Sequence, residues 1–151
     1  MNLIFYMNMK IKVINKSKHK LPEYKTKGAA GMDILANLDE TVVLKPLERT
    51  LIPTGLYMEI PEGYEVQIRP RSGMALKEGI GILNSPGTID SDYRGEVGVI
   101  VINLSDKPVK IEDGQRICQM VVNPILHAEW SETSSLEITE RGKGGFGHTG
   151  K

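Results

Sequence analysis

The sequence predicts an all-β fold: an antiparallel sandwich or barrel with one short helix and a glycine-rich C-terminal tail. Apolar residues recur with period two in short runs, the pattern of strands with one buried face. Gly, Pro, Asn and Asp punctuate those runs at regular intervals, as turns between antiparallel strands require. Only one stretch has the composition of a helix.

In chain order, strands are predicted at Ile11–Asn15, Thr41–Leu44, Thr50–Pro53, Gly55–Ile60, Tyr64–Arg69, Gly81–Leu83, Val97–Asn103, Val109–Ile111 and Arg116–Asn123. Turns are predicted at Pro61-Glu-Gly63, Ser85-Pro-Gly87, Asp92-Tyr-Arg-Gly95, Asp106-Lys-Pro108 and Asp113-Gly114. The helix falls in Ser72-Gly-Met-Ala-Leu-Lys-Glu-Gly79, with Ser72 as N-cap and Gly79 as a natural stop. Past Pro124 the pattern dissolves into a polar arm, Glu129–Glu140, whose Trp130, Leu136 and Ile138 need another surface to cover. Residues 1–128 therefore read as a β domain, and 129–151 as its arm and flexible lid.

Bulk properties exclude several classes. The 151 residues fit one domain with an ordinary apolar share of 40%. Nineteen Lys and Arg balance nineteen Asp and Glu, so the basic excess of a non-specific nucleic-acid binder is missing. The single cysteine, Cys118, rules out an intrachain disulfide and fits a reducing, cytoplasmic setting. Near Met1 an apolar run of about five residues, with no preceding Lys or Arg, is too short for a signal peptide or membrane span. It reads as an edge extension, or as residues ahead of a start at Met7 or Met9.

Four segments carry candidate chemistry. In the tail, Arg141-Gly-Lys-Gly-Gly-Phe-Gly-His-Thr-Gly150, five of ten residues are Gly, which resists regular structure. Yet Arg141, Lys143, Phe146 and His148 suit phosphates and one flat ring; the bland reading is a solubilising end. Its near match to a phosphate-binding loop fails, because no strand precedes it and no helix follows. At the helix start, Pro70-Arg71-Ser72-Gly73 combines free backbone N–H groups, a hydroxyl and a cation, an anion site or simply a capped helix. The third segment runs from Asn84 to Gly95 and offers two carboxylates. Asp92 opens an Asp-x-x-Gly turn unit and has a local job. Asp90 has none, so it is the better candidate to activate a water, with Tyr93 presenting its ring nearby. Asp33, among small and apolar residues, is either functional or a strand-start aspartate. Lastly, Gln119 stands in an apolar strand and needs a partner. Strict alternation puts Arg116, Cys118, Met120 and Val122 on one face, with Ile117, Gln119 and Val121 on the other. Cys118 reads as a small core residue.

Together and in order, these segments resemble the five signature motifs of the trimeric dUTPase family. Ala30-Gly-Met-Asp33-Ile is similar to the first, Pro70-Arg-Ser-Gly-Met74 to the second, and Gly87-Thr-Ile-Asp-Ser-Asp-Tyr-Arg-Gly95 to the third. Arg116-Ile-Cys-Gln119-Met is similar to the fourth, and Arg141-Gly-Lys-Gly-Gly-Phe-Gly-His148 to the fifth. The resemblance implies a jelly-roll-like barrel and a homotrimer with active sites shared between subunits. It also implies hydrolysis of dUTP to dUMP and diphosphate with Mg²⁺, which keeps uracil out of DNA and supplies dUMP for thymidylate synthesis. On the same ground Asp90 positions the attacking water, Tyr93 packs on the deoxyribose, and Asn84, Gly87, Thr88 and Ile89 read uracil through backbone. Arg71, Ser72, Gly73 and Gln119 would lie on the phosphate side, and Asp33 would meet Mg²⁺ through water, not as a direct ligand. Arg141 would pair with the γ-phosphate, Phe146 would stack on uracil, and Gly147 and His148 would complete the lid. Two rivals share parts of the pattern. A dCTP deaminase would use a Glu and lack the Asp90–Tyr93 arrangement, and a non-catalytic regulator would bind nucleotide without turnover.

Overall fold

The structure, a computed structural model, describes residues 9–146. The N-terminal extension over residues 1–8 and the lid residues Gly147 and His148 lie outside the described residues.

Ten strands and one helix follow one another: β1 (Lys12–Asn15), β2 (Met32–Leu35), β3 (Val42–Leu44), β4 (Arg49–Glu59), β5 (Tyr64–Arg69), α1 (Ser72–Glu78), β6 (Ile80–Ile82), β7 (Gly87–Ile89), β8 (Glu96–Asn103), β9 (Val109–Ile111) and β10 (Arg116–Pro124). They build two four-stranded sheets, ordered β1-β4-β8-β6 and β2-β10-β5-β7, with a short β3-β9 pair beside them. Every pairing is antiparallel. The chain crosses repeatedly between sheets, giving the jelly-roll that the strand pattern and the motifs imply.

The inner faces of both sheets make the core. In β8 burial alternates strictly, with Val97, Val99, Val101 and Asn103 inward. They meet Ile34, Val66, Ile68, Cys118 and Met120 of the facing sheet in one cluster. Burying each large aliphatic side chain stabilises the fold by roughly 1.5–3 kcal/mol. The same alternation turns Ile100 and Ile102 outward, beside exposed Leu51, Leu83 and Leu104. Leu51 would touch a methyl group added at Gly98, and Ile102 and Leu104 would touch one at Gly81, so this outer face is continuous and apolar.

Several elements depart from the sequence reading. The strands predicted at Thr50–Pro53 and Gly55–Ile60 are one strand, β4, interrupted by a bulge between Pro53 and Tyr57. Gly55 adopts a φ of 70°, with Ser17 backbone 2.6 Å from where a Cβ would sit. Thr54 donates its hydroxyl to the Val97 carbonyl at 2.6 Å, and the Glu96 carboxylate accepts the Gly55 N–H at 2.7 Å. The bulge thus satisfies its own polar groups and accommodates Pro53. β2 and β7 were not predicted, because Asp33 and Thr88 dilute apolar runs of only four and three residues. The helix begins one residue earlier in role than expected: Arg71, not Ser72, is the N-cap, in extended geometry and without a side-chain cap. Gly79 does stop the helix, in the left-handed conformation. The tight turn after β7 is Asp90–Tyr93, closed by the Tyr93 N–H on the Asp90 carbonyl, not Asp92–Gly95.

Beyond β10 the Ile125 N–H bonds the Gly63 carbonyl, and residues 126–146 form no further strand or helix. Leu126, Trp130, Leu136 and Ile138 along this arm are between 86% and 99% exposed.

One buried amide ties the structure's far end together. Asn103 Nδ2 donates to the Leu44 and Lys107 carbonyls at 2.9 and 2.8 Å, and its Oδ1 accepts from the Ser105 N–H and hydroxyl. Asn103→Asp keeps the shape but aims a carboxylate at two carbonyls. Urea denaturation should show a loss of about 3 kcal/mol or more; a loss below about 1 kcal/mol would remove this amide from the determinants of the fold.

Candidate active site

The candidate side chains fall into two groups at opposite ends of the β2-β10-β5-β7 sheet. The first begins with register: Gln119 of β10 lies opposite both Asp33 of β2 and Arg69 of β5. β5 then runs through Pro70 into α1, so Arg71 swings back toward Asp33. Arg71 Nε donates to Asp33 Oδ1 at 2.8 Å, and Arg71 Nη1 donates to the Arg116 carbonyl at 3.1 Å. Arg116 Nη1 reaches Asp33 Oδ2 at 3.4 Å. Gln119 finds the partner it needed in the Pro70 carbonyl, at 3.3 Å. Its Oε1 lies 2.7 Å from where a Cβ on Gly31 would sit, with the Met120 carbonyl at 3.1 Å, so a side chain there would push Gln119 aside.

Arg116 is the residue that sequence reasoning passed over as a site residue. Strict alternation opposed it to Gln119, but a bulge at Ile117 shifts the register between Arg116 and Cys118. Arg116 thereby joins the Asp33–Gln119 row. A charged residue two before Cys118 on a strand with both faces largely buried was the available signal.

The open start of α1 completes this group. Arg71 stands at the N-cap, and a guanidinium has no acceptor to offer, so no side chain caps the helix, and no acidic residue occupies its first turn. Ser72 and Gly73 are exposed, with nothing within 4 Å of an added Cβ at Gly73. Uncapped N–H groups, a hydroxyl and two guanidinium groups make a surface suited to an anion. Beside it a cavity of about 390 Å³ is lined by Asp33, Leu35, Arg116 and the Ser17–Glu23 segment. That segment is held by His19 Nε2 on Asp113 Oδ1 at 2.9 Å. The Leu38 N–H and His19 together keep the Asp113 carboxyl below its ordinary range.

The second group follows β7. Gly87, Thr88 and Ile89 pair with Ile68, Gln67 and Val66, and Asn84 is exposed ahead of them. Asp90 is exposed, and among the described residues its carboxylate accepts no hydrogen bond. Tyr93, 46% exposed, donates its hydroxyl to the Glu96 carbonyl at 2.9 Å.

One chain does not unite the two groups. Asp90 continues β7 one step past Ile89, four residues along β5 from the Arg69 level and three strands across from Asp33. That is roughly 13 Å along the strands and about 14 Å across the sheet. The tail stands apart as well. Arg141 Nε bonds the Gly144 carbonyl at 2.9 Å, and the Phe146 ring is fully exposed.

Metal-binding capacity is limited. Among the described residues no three His, Cys, Asp or Glu side chains are grouped to hold an ion. Both Asp33 oxygens already face arginines. This donor set offers no all-protein cage. It fits Mg²⁺ carried on a polyphosphate and met through water, the usual manner for this reluctantly dehydrated ion.

Comparison with known proteins places these features in context. The dUTPase family profile matches residues 10–150. A deoxyuridine 5'-triphosphate nucleotidohydrolase from Finegoldia magna is 56% identical over 142 residues, covering 94% of this chain and 99% of that one. Its counterpart from Fusobacterium nucleatum is 57% identical over 143 residues, covering 95% and 98%. Among solved structures, the Staphylococcus bacteriophage 80alpha dUTPase with dUpNHpp has a TM-score of 0.85 at 31% identity, covering 95% of this chain and all of that one. A mutant dUTPase from phage phi11 of S. aureus, described for its structural Mg(II) ion, has a TM-score of 0.77 at 27% identity and covers 86% of this chain.

Cys118 lies beneath the Asp33–Arg71 pair. Burial, aided by the Asp33 charge and opposed by Arg71, pushes its thiol up to about 12. Only the thiolate reacts, so at pH 8 a disulfide reagent should label the native protein about 10³ times more slowly than the unfolded chain. Rapid labelling of folded protein, followed by absorbance, would show instead that this strand opens readily.

Proposed function

The chain belongs to the dUTPase family, and from that premise we propose that it hydrolyses dUTP to dUMP and diphosphate at sites completed between subunits. The observation that carries this reading is the exposed, unpartnered Asp90 carboxylate, in a chain matched to the family over residues 10–150. An ordinary aspartate is ionised at neutral pH and is a weak base, suited to orienting and deprotonating a water. The water's oxygen attacks the α-phosphorus, the bond to the bridging oxygen breaks, and diphosphate leaves.

The other residues bind and orient. Arg71, Ser72, Gly73 and Gln119 take the phosphate side, and the geometry supports adding Arg116 to them. Their preorganised donors meet the growing negative charge. Asn84, Gly87, Thr88 and Ile89 present backbone groups to uracil, and Tyr93 covers the deoxyribose. Asp33 first fixes Arg71 and Arg116, and touches Mg²⁺ only through that ion's water shell. When bound, Mg²⁺ supplies charge neutralisation on the triphosphate. Arg141 pairs with the γ-phosphate, Phe146 stacks on uracil, and Gly147 and His148 close the lid. A fully exposed Phe146 ring with no cover on its own chain supports that role.

The assembly is a homotrimer. Two features support it besides the distance between Asp90 and Arg71. The outer face around β8 and β6 exposes Leu51, Leu83 and Leu104 beside Ile100 and Ile102, an uncovered apolar patch typical of an interface. The arm residues 129–140 also expose their large side chains, and we place them on a neighbouring subunit. An apolar groove between β1 and β2, lined by Ile11, Val13, Met32 and Met58, is of the right character to receive such side chains. Residues 1–128 and 129–151 thus act as one domain with an exchanged arm and lid. Among the described residues no helix is long and apolar enough to cross a membrane. Neither membrane nor nucleic acid enters this reading; it assigns the protein to the cytoplasm, keeping uracil from DNA and supplying dUMP for thymidylate synthesis.

Diphosphate release with each deoxynucleoside triphosphate and Mg²⁺ tests the activity. Only dUTP should be turned over, and Asp90→Asn should lower kcat at least ~10²-fold while still binding dUpNHpp. A variant keeping more than a tenth of the rate removes Asp90 from its role. Ammonia release from dCTP would point to a deaminase.

Light scattering tests the assembly. The full chain should scatter as about three times its 16.7 kDa mass. A chain ending at Glu140 should keep that mass and its melting temperature while losing turnover by orders of magnitude. Full turnover by a monomer would refute shared sites.

A further inference from the structure

Gly95 closes the third motif, yet nothing in the proposed reaction uses it. Its backbone does not demand glycine, for it is absent from the five glycines with positive φ. What excludes a side chain is a single neighbour. A Cβ built on Gly95 would lie 2.9 Å from Tyr93 Cε2, and closer still to Cζ and Oη; these are the three nearest atoms. The Tyr93 side chain folds back across the Gly95 α-carbon to donate its hydroxyl to the Glu96 carbonyl at 2.9 Å. Glu96 is in turn anchored, since its carboxylate accepts the Gly55 N–H at the β4 bulge. The hydroxyl end of the ring is therefore pinned between glycine and a carbonyl, while the side chain as a whole stays half-exposed.

We infer that Gly95 is a specificity-determining position: it leaves room for the Tyr93 ring to lie where it sorts deoxyribose from ribose. The inference rests on the reading of Tyr93 as the sugar-facing residue. A methyl group at position 95 pushes the ring away and breaks the Oη–Glu96 hydrogen bond. The displaced atoms are the far end of a half-exposed side chain, so the fold accommodates the change cheaply. The ribose 2′-hydroxyl then loses the surface that excluded it. Gly95 itself touches no substrate and is a positioning residue acting through Tyr93.

The experiment compares Gly95→Ala, Tyr93→Ala and the double variant, measuring kcat/KM for dUTP and UTP on the full-length protein. Gly95→Ala should melt within about 4 °C of the parent, while the dUTP:UTP ratio falls roughly 10-fold or more. Adding Gly95→Ala to Tyr93→Ala should change that ratio no further, since the first acts through the second. If Tyr93→Ala loses discrimination and Gly95→Ala keeps it, the inference fails and the reading of Tyr93 stands. Tyr93→Ala with discrimination intact overturns the reading of Tyr93, and this inference with it. A Gly95→Ala chain that fails to fold, or an additive effect in the double variant, shows that Gly95 does more than seat one ring and also overturns it.

Discussion

The Asp33–Arg71 ion pair is the constraint from which the anion-suited half of the candidate site follows. Both side chains are largely withdrawn from water, at 20% and 24% exposure, and their contact is 2.8 Å. Removing charges from water is costly, and such a pair repays little net stability. What it supplies is geometry. It holds Arg71 beside the start of α1, whose first N–H groups have no side-chain cap because a guanidinium at the N-cap has no acceptor to offer. Arg116 reaches the same carboxylate because a bulge in β10 turns it into that row; unbroken alternation would aim its side chain elsewhere. A helix with a conventional serine cap would be a better helix and a poorer anion site.

The opposite end of the sheet is built on different terms. There the turn after β7 consumes the Asp90 carbonyl and spares its carboxylate. Tyr93 spends its one hydroxyl on the Glu96 carbonyl, so its ring is held by backbone two and three residues along the chain. The two groups lie at opposite ends of one sheet, kept apart by strand register.

Much of this was legible in the sequence because strands announce themselves through period two and turns through Gly, Pro and Asp. β5, β8, β9 and β10 fall within a residue of expectation for that reason. Failures cluster where local signals conflict with tertiary partners. β2 is four residues in which only Ile34 is fully buried, and β7 is three residues starting with Gly87, so neither has periodicity to detect. The β4 bulge hid as two strands because Thr54 and Gly55 resemble a turn, and the hydrogen bonds that make them a bulge come from Val97 and Glu96. Arg116 was missed for the same reason: alternation cannot see a bulge. Asp90, Tyr93 and Arg71 were singled out by residue type and motif order, but their separation belongs to strand register, which no local pattern encodes.

The sheet order also dictates when this site can exist during synthesis. β2 and β5 each lie against β10, and β2 has no other partner among the described strands. Until residues 116–124 leave the ribosome, Asp33 sits on an unpaired strand and Arg71 has no fixed counterpart beside the Arg116 carbonyl. Pairings between distant segments form late and slowly, and open edges invite association with other chains meanwhile. A nascent or prematurely terminated chain would therefore possess most of the barrel's apolar residues without any of its anion-binding geometry. Interrupted translation would release material prone to aggregate but unable to grip nucleotides, so a half-made product cannot sequester the metabolite its finished form handles.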